Sequence, residues 1–504
     1  APEYIPPPTK LEANEFSFVE NSGNTNPYKT ITSTSSSELE NLWVTGSGAG
    51  SKATGYWVDS DGQEATFTNL GNIYVTAVDG ANSWSQRAIG AADGATAINK
   101  GTIVVQNAYG MTVGSDKNGS TPATIINEGS IAVYETGAAI ELGGVKSSTA
   151  ENKGQIYVGK PSASDGAFTI GVLVKDHEEG KFTNSGLIDA KEATAAISVE
   201  KGSSTDKNTV LLTSGSQTLG NILIDAPNTT LNMEDGAVFD GRLVVSKNAS
   251  KTAISGTQKA EGLTASNGAA LFLAPADSSA SIKNALYSGN KASGTTIAMG
   301  GAVYSNGSPI YFENTVFDGN SAVITAPAKA TDAATGGAIQ IKGSPDTVFK
   351  DVVFTNNTAA VTGANGIGAY AFGGAINVDY STGSTTGVKR DSDVKFIITK
   401  DLAYTGNTVS SDGTGKPDTY GYTHSHTQAG GFLFLDRGSV ATFEVQGAAT
   451  LTIGEKGTTG DTDSIASSMP NNTTANGGQH ALLNKTGTGT LLVNSDLNKY
   501  YGTT

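Results

Sequence analysis

One short phrase, Asn-x-Gly-x-Ile/Leu, returns five times in the first 200 residues of the chain. Its asparagine recurs every 25 to 32 residues, at Asn69, Asn99, Asn127, Asn152 and Asn184. No helical pattern lies between the copies. A repeat of this length fits one coil of a parallel β-helix, which needs two or three short strands and their turns. We therefore expect an all-β solenoid that grows by stacking coils.

The positions inside the phrase have separate roles. Apolar residues two apart, such as Ile73 and Val75, face the same side of a strand and are expected in the core. The glycine, Gly71 in the first copy, is expected to take a positive φ at the bend. The asparagines could form a ligand-binding row, but we favour an internal ladder of hydrogen-bonded amides, because buried polar groups need partners.

A second pattern begins near residue 285. An aromatic residue precedes an asparagine by three positions in four copies, which end at Asn290, Asn320, Asn357 and Asn407. Between them lie Gly-Gly pairs that start at Gly300, Gly336, Gly373 and Gly430. We expect the aromatic residues to fill a corner of the core, the asparagines to extend the structural ladder, and the Gly-Gly pairs to allow a tight bend.

Composition excludes several functions. The net charge is −15, from 32 basic and 47 acidic residues, and no run of Lys and Arg is present. Such a surface repels phosphate backbones and anionic lipid, so nucleic acid is not an expected partner. The chain has no cysteine, which leaves neither disulfides nor thiolate metal ligands.

The motifs divide the chain into five segments. We assign residues 1–60 to an N-terminal tether and cap, and 61–200 to coils with the Asn-x-Gly-x-Ile repeat. Irregular coils follow at 201–284. Residues 285–480 hold the aromatic and Gly-Gly repeats with long polar loops, and 481–504 form the closing segment.

The closing segment resembles the passenger-associated repeat of type V autotransporters, in Leu483, Lys485, Thr486-Gly487-Thr488-Gly489-Thr490-Leu491, Asn494, Asn498, Tyr501 and Gly502-Thr503. The aromatic-x-x-Asn and Gly-Gly-Ala repeats are similar to those of the chlamydial polymorphic outer-membrane proteins. The resemblance implies a right-handed parallel β-helix, the secreted passenger of a Gram-negative bacterium. It also implies that the only membrane contact is made by a C-terminal barrel outside this sequence.

The residues needed for catalysis are not evident. The string "GDTDSIASS" lacks the glycine that follows serine in the Gly-Asp-Ser-Gly loop of autotransporter proteases, and no His-Glu-x-x-His is present. Asp391 and Asp393, beside Lys389 and Arg390, come nearest to the calcium site and base of a lyase, but a solvated turn explains them. We predict no enzyme activity, no catalytic residue, no metal and no cofactor.

The longest insertion offers a recognition surface. Tyr420, Tyr422, His424 and His426 alternate there, and exposed Tyr and His combine flat faces with hydrogen-bonding tips. We predict ligand recognition by these four residues. A metal shared by His424, His426 and Asp418 is an alternative, as is a plain exposed polar loop.

These observations together predict a surface adhesin. Its partner would be a host-cell protein or glycan, or another passenger, and weak contacts repeated over many copies would give avidity. The alternatives are a passenger that degrades polysaccharide or protein, and a passive spacer.

Overall fold

The computed structural model describes most of the chain. The described ranges are residues 16–21, 28–32, 35–46, 53–59, 64–77, 86–113, 121–143, 147–175, 179–202, 207–343, 346–379, 393–414, 418–419, 422–423, 426–436, 438–469 and 480–504. Contacts divide the chain into two compact units, residues 1–241 and 242–504. Among the described residues, no helix has the length and apolar character needed to cross a membrane.

The described residues of the first unit form three parallel sheets, each built from one strand per coil. The strands of its first sheet are Ser17–Asn21, Leu42–Gly46, Asn72–Ala77, Thr102–Gln106, Ser130–Glu135, Gln155–Pro161, Leu187–Asp189, Gln217–Leu219 and Val238–Asp240. Those of the second are Lys29–Ile31, Thr54–Asp59, Arg87–Ala92, Tyr109–Val113, Gly137–Gly143, Thr169–Lys175, Ala195–Val199 and Ile222–Ile224. Those of the third are Ser35–Glu38, Thr66–Asn69, Thr96–Asn99, Thr124–Asn127, Thr149–Asn152, Lys181–Asn184, Thr209–Leu212 and Thr230–Met233.

The repeated phrase spans one corner of this unit. Each asparagine ends a strand of the third sheet, the next two residues turn, and the isoleucine or leucine lies in a strand of the first sheet. In that sheet Ile103 lies level with Ile73 on one side and Ile131 on the other, and none of the three is more than 1% exposed. Stacked coils therefore bury their aliphatic side chains against one another, as the alternation predicts.

The second unit has more sheets. Its first sheet contains Lys259–Glu261, Leu286–Ser288, Val316–Asp318 and Val353–Thr355. Its second contains Leu243–Val245, Leu271–Leu273, Val303–Ser305, Ile339–Lys342, Ile376–Asp379, Leu433–Leu435 and Ile465–Ser467. Its third contains Ala253–Gly256, Ser279–Lys283, Ile310–Glu313, Thr347–Lys350, Asp393–Ile398, Val440–Val445 and Leu482–Thr486.

The described residues of the second unit also form three smaller parallel sheets and one antiparallel pair. The fourth sheet contains Thr264–Ala265, Lys291–Gly294, Ser321–Thr325, Thr358–Thr362 and Thr408–Ser411. The fifth contains Ile297–Met299, Ala333–Thr335, Tyr370–Phe372 and Gln428–Ala429. The sixth contains Leu402–Tyr404, Thr450–Ile453 and Thr490–Val493, and the antiparallel pair is Asp418–Thr419 with Tyr422–Thr423.

Aromatic rings stack along the core of the second unit. The ring of Phe317 is parallel to those of Tyr287 and Phe354, with centroids 4.7 and 5.2 Å away. Tyr404 meets Phe354 edge to face at 5.4 Å. All four rings are fully buried, which confirms the predicted core role of the aromatic repeat.

The fourth and fifth sheets share a separate apolar core rich in alanine. Ala292 and Ala322 from the fourth sheet belong to one buried cluster with Ala298 and Ala334 from the fifth. Small side chains allow two sheets to approach closely. The Gly-Gly pairs then lead from the fifth sheet into the second, and their first glycines have a positive φ, for example 66° at Gly300 and 63° at Gly336.

The glycines of the first repeat have a different role from the predicted one. Gly71, Gly101, Gly129, Gly154 and Gly186 do not have a positive φ. A Cβ on Gly101 would instead lie 1.9 Å from the carbonyl oxygen of Gly71, and one on Gly129 would lie 2.1 Å from that of Gly101. The expectation of positive φ was wrong: these positions need glycine because the backbones of successive coils approach so closely.

Both units are right-handed parallel β-helices, and the predicted fold class is confirmed. Parallel pairing already begins at Ser17–Asn21, which pairs with Leu42–Gly46. This strand lies within residues 1–60, the segment assigned from sequence to a tether and cap.

Candidate functional site

The asparagines of the first repeat form one continuous row inside the first unit. The Nδ2 of each donates to the Oδ1 of the next, at 2.8 Å for Asn69 to Asn99 and 2.9 Å for Asn99 to Asn127. The remaining steps, to Asn152 and then Asn184, measure 2.8 and 2.9 Å. All five side chains are fully buried. A solvent-borne ligand therefore has no access to this row.

The same amides hold the turns. Asn69 Oδ1 accepts from the backbone N–H of Gly71, and its Nδ2 also donates to the Gly71 carbonyl at 3.0 Å. The row ends where Asn184 Nδ2 donates to the hydroxyl of Thr218 at 3.0 Å. Each asparagine thus fixes its own turn and the position of the neighbouring coil.

A second row runs through the second unit. The Nδ2 of Asn290 donates to Asn320 Oδ1 at 2.9 Å, and the steps from Asn320 to Asn357 and on to Asn407 are both 3.0 Å. Each Nδ2 also donates to a backbone carbonyl of the preceding coil, for example Asn320 to Tyr287. These four side chains are fully buried too.

An aspartate ends the second row. Asp463 Oδ1 accepts from the backbone and side-chain nitrogens of Asn407, and its Oδ2 accepts from the backbone of Gly406 at 2.9 Å. Burial raises the pKa of this carboxyl, and its bonds to Asn407 and Gly406 partly offset the rise. No repeat motif marks Asp463, so this acceptor is not predictable from the local sequence.

The four residues predicted to recognise a ligand are only partly described. Tyr420 and His424 lie outside the described residues. Tyr422 lies in a two-residue strand whose backbone pairs antiparallel with Asp418–Thr419, and its side chain is outside the description. Of the four side chains, the structure describes that of His426 alone.

His426 contacts the closing segment of the chain. Its Nε2 lies 3.0 Å from the hydroxyl of Tyr501, at a small pocket also lined by Phe372 and Phe434. Burial lowers the pKa of His426, and the nearby Lys499 ammonium lowers it further. This histidine holds Tyr501 in place, a contact between residues 75 positions apart that local sequence patterns do not reveal.

Some of the residues considered for a metal site or a lyase site also lie outside the described residues. Lys389, Arg390 and Asp391 lie there, whereas Asp393 begins a strand of the third sheet of the second unit. Within the described ranges, no group of three or more His, Asp or Glu side chains could hold a metal ion.

Sequence reasoning missed a polar cluster on the outer face of the second sheet of the first unit. Arg87 lies over the ring of Trp57, 4.9 Å from its centroid, and its Nη1 donates to Thr112 Oγ1 at 3.1 Å. Glu141 lies level with Thr112 on the next strand, and its Oε2 is buried without a hydrogen-bond partner among the described residues.

Burial raises the pKa of Glu141 to about 7. The positive charges of Arg87 and Lys175, and a hydrogen bond from Tyr109, only partly offset that effect. At neutral pH this carboxyl is therefore divided between its protonated and charged forms. A carboxyl in that state can give or take a proton, which makes this cluster a candidate for acid–base chemistry.

Sequence reasoning also missed a group of hydrogen-bonded polar side chains in the second unit. There the Gly-Gly bend sets the fifth sheet beside the outer face of the second sheet. The hydroxyl of Thr335 donates to Gln340 Oε1 at 2.7 Å across this corner. Asn377 Nδ2 donates to the same oxygen at 2.9 Å. On one side of this amide pair Phe372 and Phe434 stack 4.3 Å apart, and on the other Tyr304 lies level with Gln340.

We compared the chain with known proteins. Neither the curated proteins nor the solved structures contain a match to it. Residues 14–177, all within the first unit, are similar to one protein family, that of the BigA third pectate lyase-like domain.

Proposed function

We propose that this protein is a bacterial surface adhesin of the autotransporter passenger kind, without catalytic activity. Its partner is a surface protein or glycan of a host cell, or a second passenger. The proposal rests on the β-helix fold, on the resemblance of the repeats to those of autotransporter passengers, and on the similarity of residues 14–177 to a pectate lyase-like domain family.

One observation carries the proposal: the strand register repeats the same polar side chains in columns on the outside. In the third sheet of the first unit, Ser35, Thr66, Thr96, Thr124 and Thr149 occupy equivalent positions on successive coils. The four threonines are only half-buried. A column of identical hydroxyl groups offers many weak, equal contacts, and such contacts give avidity when many copies are displayed on a cell.

The ladders support this role from the inside. Two fully buried amide rows tie together the coils from Asn69 to Asn184 and those from Asn290 to Asn407, so the outer columns of these coils are held at a fixed spacing. Neighbouring strands of a sheet lie about 4.8 Å apart, which sets that spacing. A surface that keeps its geometry loses little conformational entropy when it binds.

Surface display tests the proposal. The chain is expressed on the surface of a bacterium that neither clumps nor attaches to host cells. Gain of clumping or attachment supports the adhesin, and the isolated protein added in excess should inhibit it. A variant that lacks residues 410–427 but keeps its β-sheet circular dichroism tests the predicted recognition segment. Loss of clumping or attachment in this variant would support that prediction. Display of a folded protein without any clumping or attachment would favour the spacer.

Glu141 favours a second candidate function, cleavage of polysaccharide. Its partly protonated carboxyl lies near Arg87 and Tyr109, inside the region that matches a pectate lyase-like family. The test is release of new sugar ends from plant and bacterial polysaccharides. Release by the native protein but not by Glu141→Gln would support an enzyme, and no release by either would favour the adhesin.

A further inference from the structure

We propose that a groove on the outside of the first unit is a binding site for an uncharged linear polysaccharide, which lies along the stack of coils. The groove follows the corner between the third and first sheets, where Ser130 and Gln155 offer a hydroxyl and an amide group. Tyr134 and Tyr157 lie beside it on the outer face of the first sheet. The inference deepens the adhesin proposal and rests on it, since it names a ligand class and a place of contact.

The groove is open to solvent and spans three successive coils. Its volume is about 420 Å³, and ligand-binding sites commonly measure about 300–1,000 Å³. Every residue that lines it is at least partly exposed. Its floor holds Gly129, Gly154 and Gly186, which belong to three copies of the first repeat. Because glycine has no side chain, the floor stays low between the residues that precede and follow it.

The backbone of the floor is already engaged. The carbonyl oxygen of Gly129 accepts from the N–H of Gln155 at 2.9 Å, and that of Gly154 accepts from Leu187 at 3.0 Å. The strands that begin at Ser130 and Gln155 pair with neighbours on both sides, so they offer no free edge to which a peptide could add a strand. An extended peptide also advances about 3.3 Å per residue, out of step with coils about 4.8 Å apart. A bound peptide is therefore disfavoured.

The charged side chains of the groove are paired with one another. Lys153 Nζ lies 3.8 Å from the carboxylate of Glu128 and 3.5 Å from that of Glu151. A charged ligand would compete with these ion pairs, and the net charge of −15 repels polyanions. On the opposite side of the groove, the hydroxyl of Ser130 and the amide of Gln155 are neutral and can both donate and accept. An uncharged ligand rich in hydroxyl groups therefore fits best.

Two tyrosines extend the groove along the strands. Tyr157 lies two residues beyond Gln155, so both side chains point away from the core on the same face of the first sheet. The small Ala132 lies level with Tyr157, and the ring of Tyr134 lies 6.0 Å from that of Tyr157. Both rings are half-buried. Their exposed parts offer apolar contact to the C–H groups of a sugar ring, which the polar groove itself does not provide.

The test uses the whole chain and two variants of the groove. The first, Ser130→Ala with Gln155→Ala, removes the hydroxyl and the amide, and the second, Tyr157→Leu, removes an aromatic ring. The matched control is Gln217→Ala, because Gln217 is exposed and occupies the column of Gln155 two coils further on, beyond the groove. The native protein is applied to an array of neutral and acidic oligosaccharides of several lengths. The best-bound oligosaccharide is then titrated by calorimetry at low and high salt.

We expect at least a tenfold weaker affinity for the double variant, about a fivefold weaker affinity for Tyr157→Leu, and an unchanged affinity for the control. Affinity should rise with the length of the oligosaccharide, because a longer chain contacts more coils. It should also be the same at low and high salt, because an uncharged ligand forms no ion pairs. Circular dichroism checks that each variant has folded.

Unchanged affinity of both groove variants would overturn the inference and place the ligand elsewhere. A preference for acidic oligosaccharides, with binding lost at high salt, would overturn the ligand class. If no oligosaccharide binds while displayed cells still attach, the inference falls and the adhesin stands. If cells do not attach either, both proposals fall.

Discussion

The side-chain amide of Asn127 donates to Oδ1 of Asn152 at 2.8 Å, although 25 residues separate the two in sequence. Both side chains are fully buried. The same bond recurs from coil to coil, so the stability of each coil depends on a side chain supplied by the next.

Replacing Asn127 by alanine should destabilise the protein by about 3 kcal/mol. The change leaves the Nδ2 of Asn99 without its Asn127 acceptor and removes the donor to Asn152 Oδ1, and each buried polar group left unpaired costs about 1–3 kcal/mol. Equilibrium unfolding in urea measures the loss. Lys100→Ala, at an exposed position of the same turn type, should change stability by less than about 1 kcal/mol. Equal effects of the two variants would contradict the structural role of the ladder.

Gly129→Ala should lower the free energy of unfolding more than Gly215→Ala, which places alanine at a positive φ with open space around it. The new Cβ would lie 2.1 Å from the Gly101 carbonyl oxygen, so the coils would have to separate, and we expect a loss of about 3 kcal/mol. At Gly215, whose φ is +80° and where a Cβ meets nothing within 4 Å, only the backbone strain of about 1 kcal/mol applies. Urea unfolding of both variants tests the order, and a reversed order would contradict the close-approach explanation.

Phe317→Ala should destabilise the second unit by about 4 kcal/mol. The ring is fully buried between Tyr287 and Phe354, and its removal leaves a cavity in the aromatic stack. Phe272→Ala, which removes a half-buried ring, should cost clearly less. Thermal unfolding followed by near-ultraviolet circular dichroism reports both the stability and the aromatic packing.

Stability of the first unit should fall as the pH rises from about 4.5 to about 7. The folded-state pKa of Glu141 is raised from its ordinary 4.5 to about 7, so the protonated form is favoured in the fold. The corresponding stabilisation is full below about pH 4.5 and is lost as the pH rises through about 7, a change of about 3 kcal/mol at most. Glu141→Gln should flatten this part of the profile and be more stable than the native protein at pH 8. Urea unfolding of both proteins at pH 5 and pH 8 measures this change in the free energy of unfolding. If the stability of the variant depended on pH as strongly as that of the native protein, Glu141 would not be the source of the dependence.

Contact between the closing segment and His426 should weaken in acid. Burial and the Lys499 charge lower the folded-state pKa of His426, although Asp461 acts in the opposite direction. The stabilising contribution is therefore full above the ordinary pKa of about 6.5 and is lost as the pH falls through the lower folded value. Limited proteolysis between pH 8 and pH 5 should show increasing cleavage within residues 480–504. His426→Gln should remove that pH dependence, and an identical profile in the variant would contradict the prediction.

The sequence predicts the solenoid well because its signals are local and repeated. Alternating apolar residues such as Ile73 and Val75 determine which side of a strand faces the core, and the repeat length sets the size of a coil. The aromatic repeat was likewise placed correctly in the core, since one large ring per coil needs a buried position.

Other features depend on contacts that no local pattern encodes. The glycines of the first repeat were expected to provide backbone freedom, but the carbonyl that excludes a side chain at Gly129 belongs to another coil. Asp463 ends a row of asparagines without any repeat around it, and Tyr501 meets His426 from 75 residues away. Thr335 reaches Gln340 only because the Gly-Gly bend brings the fifth sheet beside the second.

The asparagine rows have a direction, and that direction bears on how such proteins change length during evolution. Every Nδ2 in both rows donates toward the coil that follows it, until Thr218 or Asp463 accepts the last bond. In the first row, loss of the starting coil removes only the side-chain donor to the Oδ1 of the next asparagine. In the second row it also removes the backbone carbonyl to which the next Nδ2 donates. Loss of the terminal acceptor leaves an N–H of the last asparagine without its hydrogen-bond acceptor. In the first row, adding or removing a coil at the beginning should therefore cost less stability than the same change at the end.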